Sequence, residues 1–411
     1  MQGLLTRIVE GEMPKLSRRA DRMPPSPIRK LVPYAEAAKK QGKKVYHVNI
    51  GQPDIHSPET FLNAFRNHAL EVVPYGHSAG LWEYRDALVE YYSRYNIDIT
   101  SEEIIVTTGG SEAIIFAMMA AMDPDDEIII PEPFYTNYNG FAVEACVNVV
   151  PVTSRVEDGF KLPPISEIEA KITDRTRAIM ICSPNNPTGY VYTAEEMNAI
   201  KKLVVKHDLF FFSDEVYREL IYDDTEHTSV MHLSGIEDKA VLLDSISKRY
   251  SACGARVGCL VSRNEDIIST ALRLGQARLC PPTMEQLAAR AAIYTPQSYL
   301  NEAVAEYRRR RDVVFEELEK IPDAFSLKPQ GAFYTVVRLP VKDADDFSTW
   351  LLKEYDLDGE TVMLAPANGF YATPGKGADE VRLAFVLNVD AMRRSMEIIR
   401  EALKVYPGRV G

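Results

Sequence analysis

Seven short apolar runs, each followed by a stretch of helical spacing, constrain this chain more than any other feature. They are Ile104-Ile-Val-Thr107, Glu127-Ile-Ile-Ile130, Val147 to Val152, Ala178-Ile-Met-Ile-Cys182, Leu209-Phe-Phe-Phe212, Ala240-Val-Leu-Leu243 and Cys259-Leu-Val261. Runs this short with so little polar alternation read as strands covered on both faces, as in a largely parallel sheet between helices. The fold class is therefore α/β, with a mostly parallel seven-stranded sheet in a large domain.

The flanking segments differ in character. Up to Gly42 the chain is polar and proline-bearing, and Met23-Pro-Pro-Ser-Pro27 precedes a helical pattern from Ile28 to Lys40. Beyond Cys280 come a charged helical stretch from Gln297 to Lys320, strand-like pieces at Ala332 to Arg338 and Glu380 to Val386, and a last helix from Val389 to Tyr406. With 411 residues, more than one core is expected. The division reads as an N-terminal arm and helix over 1–45, packing with the small domain or a partner subunit, a large domain over 46–285, and a smaller α/β C-terminal domain over 286–411. The basic run Tyr307-Arg-Arg-Arg-Arg-Asp312 reads as a solvated helix face, since acidic residues flank it.

A formal net charge of -12 argues against a nucleic-acid-binding surface, because phosphate backbones attract basic patches. Five cysteines, odd in number and without a C-x-x-C pair, indicate neither a disulfide framework nor a zinc site, and fit a reducing cytoplasm. Charges interrupt the first twelve residues where a secretion signal needs an apolar core, and no uncharged run reaches membrane-spanning length. Small-molecule chemistry is the expectation that remains.

In an open parallel sheet, ligands bind beyond the carboxyl ends of the strands. The residues at those ends carry chemistry. Thr108-Gly-Gly-Ser-Glu-Ala113 opens a helix, where bare backbone and free N–H groups suit an anion; Gly110 and Ser111 are the candidates, and an ordinary capped turn explains the string equally well. Pro131-Glu-Pro-Phe-Tyr135-Thr-Asn-Tyr138 offers Tyr135 as a flat face for a flat ring. Ser183-Pro-Asn-Asn-Pro-Thr-Gly189 supplies the amide of Asn186 as a donor. Asp214-Glu-Val-Tyr217 follows an apolar strand, and a carboxylate there needs a cationic partner such as a protonated pyridine nitrogen. Finally, Ser245-Ile-Ser-Lys-Arg249 leads to Gly254-Ala-Arg-Val-Gly258. Lys248 is an amine able to form an imine with a carbonyl cofactor, beside Ser245, Ser247 and Arg256, which suit a phosphate. Together these groups describe a pyridoxal 5'-phosphate site.

The ordered set G-G-S-E-A, P-x-x-Y, N-N-P-T-G, D-E-V-Y, S-x-S-K with G-x-R-x-G, and R-L-A-F resembles the class I aminotransferases of the fold type I pyridoxal-phosphate enzymes, from about Met23 onward. The resemblance implies that Lys248 carries the cofactor, that Asp214 pairs with its ring nitrogen, and that Asn186 and Tyr217 contact its phenolic oxygen. It also implies a phosphate cradle of Gly110, Ser111, Ser245, Ser247 and Arg256, with Tyr135 stacked on the ring. Tyr75 matches a tyrosine that reaches a neighbouring subunit's phosphate, which implies a homodimer with shared sites. Gly51 and Arg382, with Asn186, match residues that receive the substrate α-carboxylate. A ping-pong exchange between an amino acid and a 2-oxo acid follows.

Substrate choice is less legible. The closest look is to prokaryotic aspartate aminotransferases, so aspartate with 2-oxoglutarate leads, followed by aromatic amino acids or alanine. A β-lyase shares the same lysine and aspartate, and a ligand-binding regulator would need an added DNA-binding module. One subgroup places a lysine where this chain has Ser111, and another takes an arginine near Gly275. Arg273, Arg278 and Ser26 are the candidates left for the substrate side chain.

Overall fold

A computed structural model describes residues 15–67 and 71–410. The opening residues from which secretion was judged lie outside that span, as does the start of the arm. Within it the strands are β1 (Lys44–His47), β2 (Ile104–Thr108), β3 (Glu127–Glu132), β4 (Asn148–Thr153), β5 (Thr176–Cys182), β6 (Phe210–Asp214), β7 (Ala240–Ser245), β8 (Val257–Val261), β9 (Tyr334–Arg338), β10 (Glu360–Met363), β11 (Ala365–Pro366) and β12 (Glu380–Ala384).

All seven apolar runs lie in one sheet of order β2-β8-β7-β6-β5-β3-β4. Only β8 runs against its neighbours β2 and β7, while β3 to β7 pair in parallel. Alternate side chains feed two separate cores, as the two-residue strand period requires. Ile128, Ile130, Met180, Phe212 and Leu243 enter one; Ile129, Ile179, Ile181, Phe211 and Leu242 enter the other. Helices bury both faces, which explains why these runs lack polar alternation. Truncating a side chain such as Phe211, wholly buried at the centre, would cost about 3–5 kcal/mol.

The smaller layer is built from an antiparallel sheet of order β11-β12-β9 and the parallel pair β1-β10. β1 is reached from a helix over Val32–Lys40, shorter than the pattern starting at Ile28 because Pro33 sits in its first turn. The division drawn at residue 45 falls within β1, whose Lys44 to His47 align with Glu360 to Met363. Past β1 the chain joins both small sheets: the Val48 amide donates to Met363 O at 3.2 Å and Val48 O accepts from the Ala384 amide at 2.8 Å. Asn49, Ile50 and Gly51 are thereby carried to the mouth of the large sheet. Two further bonds bind the layers, from the Tyr222 amide to Gln330 O and from the Ala332 amide to Leu220 O, both 2.8 Å.

The arginine run on the helix Gln297–Leu318 is not all solvated, since Arg310 and Arg311 are 4% and 2% exposed. At helical spacing Tyr307, Arg310, Arg311 and Val314 share the inward face. Arg310 donates to Asp54 at 2.6 Å and Arg311 to Asp223 at 2.8 Å, so both buried charges have partners.

Candidate active site

A cavity of about 510 Å³ opens where the carboxyl ends of β2, β3, β5, β6 and β7 meet the smaller layer. Gly51, Gly110, Ser111, Tyr135, Asn186, Asp214, Tyr217, Ser245, Ser247, Lys248, Arg256 and Arg382 all line it, as does Ser26 from the arm. Residues far apart in sequence converge because most of them follow a strand end or lie in the bridge after β1, with Arg382 added from within β12 and Ser26 from the arm.

The floor depends on bare backbone. Gly109, with φ +73°, turns the chain from β2 into the helix Gly109–Ala121, and a Cβ there would lie 2.5 Å from the Arg256 guanidinium. A Cβ on Gly258, in β8, would approach Gly109 C to 2.5 Å and Gly110 N to 2.7 Å. Both glycines let strand, turn and arginine close into one cradle of N–H donors and positive charge. Glu112 caps the same turn, accepting from the Thr108 amide at 2.7 Å. Glu112 is the one capping side chain here: Thr108 at the helix start makes no side-chain cap bond, and Ser111 faces the cavity.

Lys248 sits on a short helix, Ile246–Arg249, whose cap is Ser245: its Oγ accepts from the Ser247 amide at 3.3 Å. Beneath it Asp244, 1% exposed, accepts from the Ser245 amide at 2.7 Å, the Tyr92 hydroxyl at 3.0 Å and Arg249 Nη2 at 2.5 Å. The buried Asp244–Arg249 pair therefore locks the turn that points the Lys248 amine into the cavity. That amine donates to Gly51 O at 2.9 Å.

Asp214 ends β6 and is almost wholly buried. Its Oδ2 accepts from the Tyr138 hydroxyl at 2.7 Å and its Oδ1 from the Val216 amide at 3.3 Å. Burial pushes its pKa up to about 6, against the pull of those two donors. Tyr217 shares a 3.0 Å hydrogen bond with Tyr334, whose hydroxyl occupies the space a Cβ on Gly51 would need. Tyr135 meets Tyr138 edge-on, and its hydroxyl accepts from Asn137 Nδ2 at 2.9 Å; burial raises its pKa to about 12. Its neighbour Phe134 is core.

Arg382, on β12, is 1% exposed and lies between the rings of Tyr334 and Phe370. Its Nη1 donates to Asn186 Oδ1 at 3.1 Å and its Nη2 to Asn49 O, while Nε is buried without an acceptor. Among the described residues no carboxylate pairs with it. Burial lowers its pKa from the ordinary arginine value.

Three candidates lie elsewhere. Tyr75 is 81% exposed and lines no part of the cavity. Arg273 is exposed and donates to Thr270 Oγ1 at 2.7 Å, and Arg278 is committed to Glu112 at 3.2 Å and Val106 O at 3.2 Å. Both fall on the helix Glu265–Arg278, behind the turn after β2. Conversely, Tyr138, Tyr334, Asn49 and Arg29 contribute to the site without having been singled out. Tyr138 was within reach, one helical turn past Tyr135; the others depend on contacts across the whole chain.

A family model described as aminotransferase class I and II matches residues 44–394. An aspartate aminotransferase of Bacillus subtilis is 31% identical over 407 residues, covering 95% of this chain and all of that one. Among solved structures, an aspartate aminotransferase from Thermotoga maritima superposes with a TM-score of 0.87 at 31% identity, and an alanine aminotransferase from Pyrococcus furiosus with 0.86 at 31%. Each covers 95% of this chain and all of its own.

Proposed function

Because this chain belongs to the class I and II aminotransferases, we propose that its cavity binds pyridoxal 5'-phosphate and that it exchanges the amino group of L-aspartate with 2-oxoglutarate. One observation carries the reading. Asp214 and Arg382 are opposite charges, both buried, neither ion-paired among the described residues, and both open to the cavity that receives Lys248. Buried charges are costly when unpaired, so the site suits a ligand with a cation at one end and an anion at the other.

The residues fit that cofactor. Asp214 would pair with a ring nitrogen and favour its protonated form, with Tyr138 and the Val216 amide orienting the carboxylate. The bare turn at Gly109 and Gly110, with Ser111, Ser245, Ser247 and Arg256, provides donors for a phosphate. Tyr217 and Asn186 serve a phenolic oxygen, and Tyr135 supplies a ring face. When bound, the cofactor supplies a carbonyl for the amine and an electron sink for the carbon that loses its proton.

The chain's own groups do the rest. Arg382 takes the substrate α-carboxylate, its fork already fixed by Asn186 and Asn49 between the rings of Tyr334 and Phe370. That contact would orient the Cα–H bond toward Lys248, whose amine, at the cavity wall, is placed to take up and hold the proton. Gly51 O, which holds the Lys248 amine at 2.9 Å, gives it a resting acceptor between transfers.

The proposed assembly is a homodimer in which exposed Tyr75 reaches the partner's phosphate cradle, beside exposed Val72 and Val73. A cytoplasmic setting is supported by five cysteines that are all free. No helix of the described residues is long and apolar enough to cross a membrane.

Aspartate is favoured by the relatives from Bacillus and Thermotoga, which are aspartate aminotransferases, and alanine is the second reading, from the Pyrococcus structure. Initial rates with aspartate, alanine and phenylalanine against 2-oxoglutarate decide between them. Fastest turnover of aspartate is expected; negligible turnover beside a good alternative donor overturns the assignment.

A further inference from the structure

We propose that Arg29 binds the side-chain carboxylate of the dicarboxylic substrate, an inference that rests on the aspartate and 2-oxoglutarate reading. The charges around the cavity carry it. Four cations line the wall, Arg29, Lys248, Arg256 and Arg382, against one carboxylate, Asp214. This imbalance arises in a chain of net charge -12, so it is local to the cavity.

The other cations are assigned. Lys248 is the reacting amine, Arg256 packs over Gly109 in the phosphate cradle, and Arg382 is fixed by Asn186 and Asn49. The Asn137 amide is held by the Tyr135 hydroxyl, Lys30 pairs with Asp345, and Arg278 is bound to Glu112. Arg29 has no ion-pair partner among the described residues. It is the one lining arginine left without a role, and a dicarboxylic substrate is the one ligand with a further anionic group.

The arm holds Arg29 in place, although its side chain is exposed. The Arg29 amide donates to Ser26 O at 3.1 Å and its carbonyl accepts from the Val32 amide at 3.0 Å, closing a turn into the helix that follows. Pro27 packs so tightly on Gly369 that a Cβ there would lie 2.2 Å from the Pro27 Cβ. Asn49 ties the arm to the carboxylate site: its Nδ2 donates to Ile28 O at 3.4 Å while its carbonyl accepts from Arg382. Both arginines are therefore registered to one asparagine. The backbone that carries Arg29 and the guanidinium of Arg382 are thereby tied to the same residue at the cavity wall.

The test uses cofactor-loaded enzyme and the variants Arg29→Ala and Arg29→Lys. Loss of a charge-assisted hydrogen bond should lower the ratio of kcat/KM for aspartate to that for alanine by about 10- to 100-fold in Arg29→Ala. The same variant should weaken equilibrium binding of succinate, followed through the cofactor's absorbance, by a similar factor while weakening propionate far less. Arg29→Lys should recover part of both. An unchanged ratio, or an equal loss for succinate and propionate, overturns the proposal. Wild-type enzyme that binds succinate no better than propionate refutes the dicarboxylate reading itself, and Arg29 with it. The two failures are thus told apart by the wild-type arm.

Discussion

The Tyr138 hydroxyl donates to Asp214 Oδ2 at 2.7 Å, from the first turn of a helix that follows β3 to the end of β6. That bond lowers the carboxyl pKa while burial raises it, and burial wins, leaving it at about 6. The protein without cofactor therefore holds a proton on Asp214 that the unfolded chain, near pH 4, has begun to release. A folded pKa above the unfolded value contributes stability present below pH 4 and lost as pH rises to about 6, at most about 3 kcal/mol. Denaturant titrations of the cofactor-free protein and of Asp214→Asn should differ in pH dependence across that window. Tyr138→Phe should move the loss to higher pH, and identical profiles for all three proteins would contradict this.

Gly258 has no room for a methyl group, because the turn at Gly109 and Gly110 lies against it. Gly258→Ala should destabilise the fold by about 1–3 kcal/mol through overpacking. It should also weaken phosphate-dependent cofactor binding more than it weakens binding of the dephosphorylated vitamer. Thermal unfolding and the two affinities check this, and equal losses of affinity would place the strain away from the cradle.

Arg249 and Asp244 are a buried pair, and neither lines the cavity. Removing the arginine leaves the buried Asp244 carboxylate with Arg218, at 4.0 Å, as its cation, so Arg249→Ala should cost about 3 kcal/mol of stability. Its positioning role shows in the pH at which the cofactor's absorbance changes, because the lysine turn is no longer locked. Arg249→Lys should restore stability in part. An unaltered spectral titration in a folded Arg249→Ala protein would leave the pair a structural contact alone.

Tyr75 gives the shared-site assembly a distinct readout. Lys248→Ala and Tyr75→Ala subunits, each poor alone, should regain turnover when mixed, because one of the two sites in each hybrid then has both groups. Lack of complementation in verified hybrid dimers would count against the exchange of Tyr75 between subunits.

The large sheet and most of the cavity were legible because they rest on local patterns. Strands covered on both faces announce themselves as short apolar runs, and the groups that follow them fall at one end of a parallel sheet. β1 and β10 were not legible: Lys44-Val-Tyr-His is four residues long, half polar, and finds its partner at Glu360 to Met363. Nor did the arginine run disclose that Arg310 and Arg311 turn inward, since composition does not show which side of a helix is packed. Arg29 was passed over for the same reason. Its place in the wall follows from Pro27 against Gly369 and Ile28 against Asn49, contacts between segments that no window of sequence brings together.

The most direct test of the central claim is to load the purified protein with pyridoxal 5'-phosphate, reduce it with borohydride, and map the product by peptide mass. A single phosphopyridoxyl group on the peptide containing Lys248, absent from Lys248→Ala, is the expected result. Protein that stays unlabelled, or that carries the group on a different lysine, would contradict it.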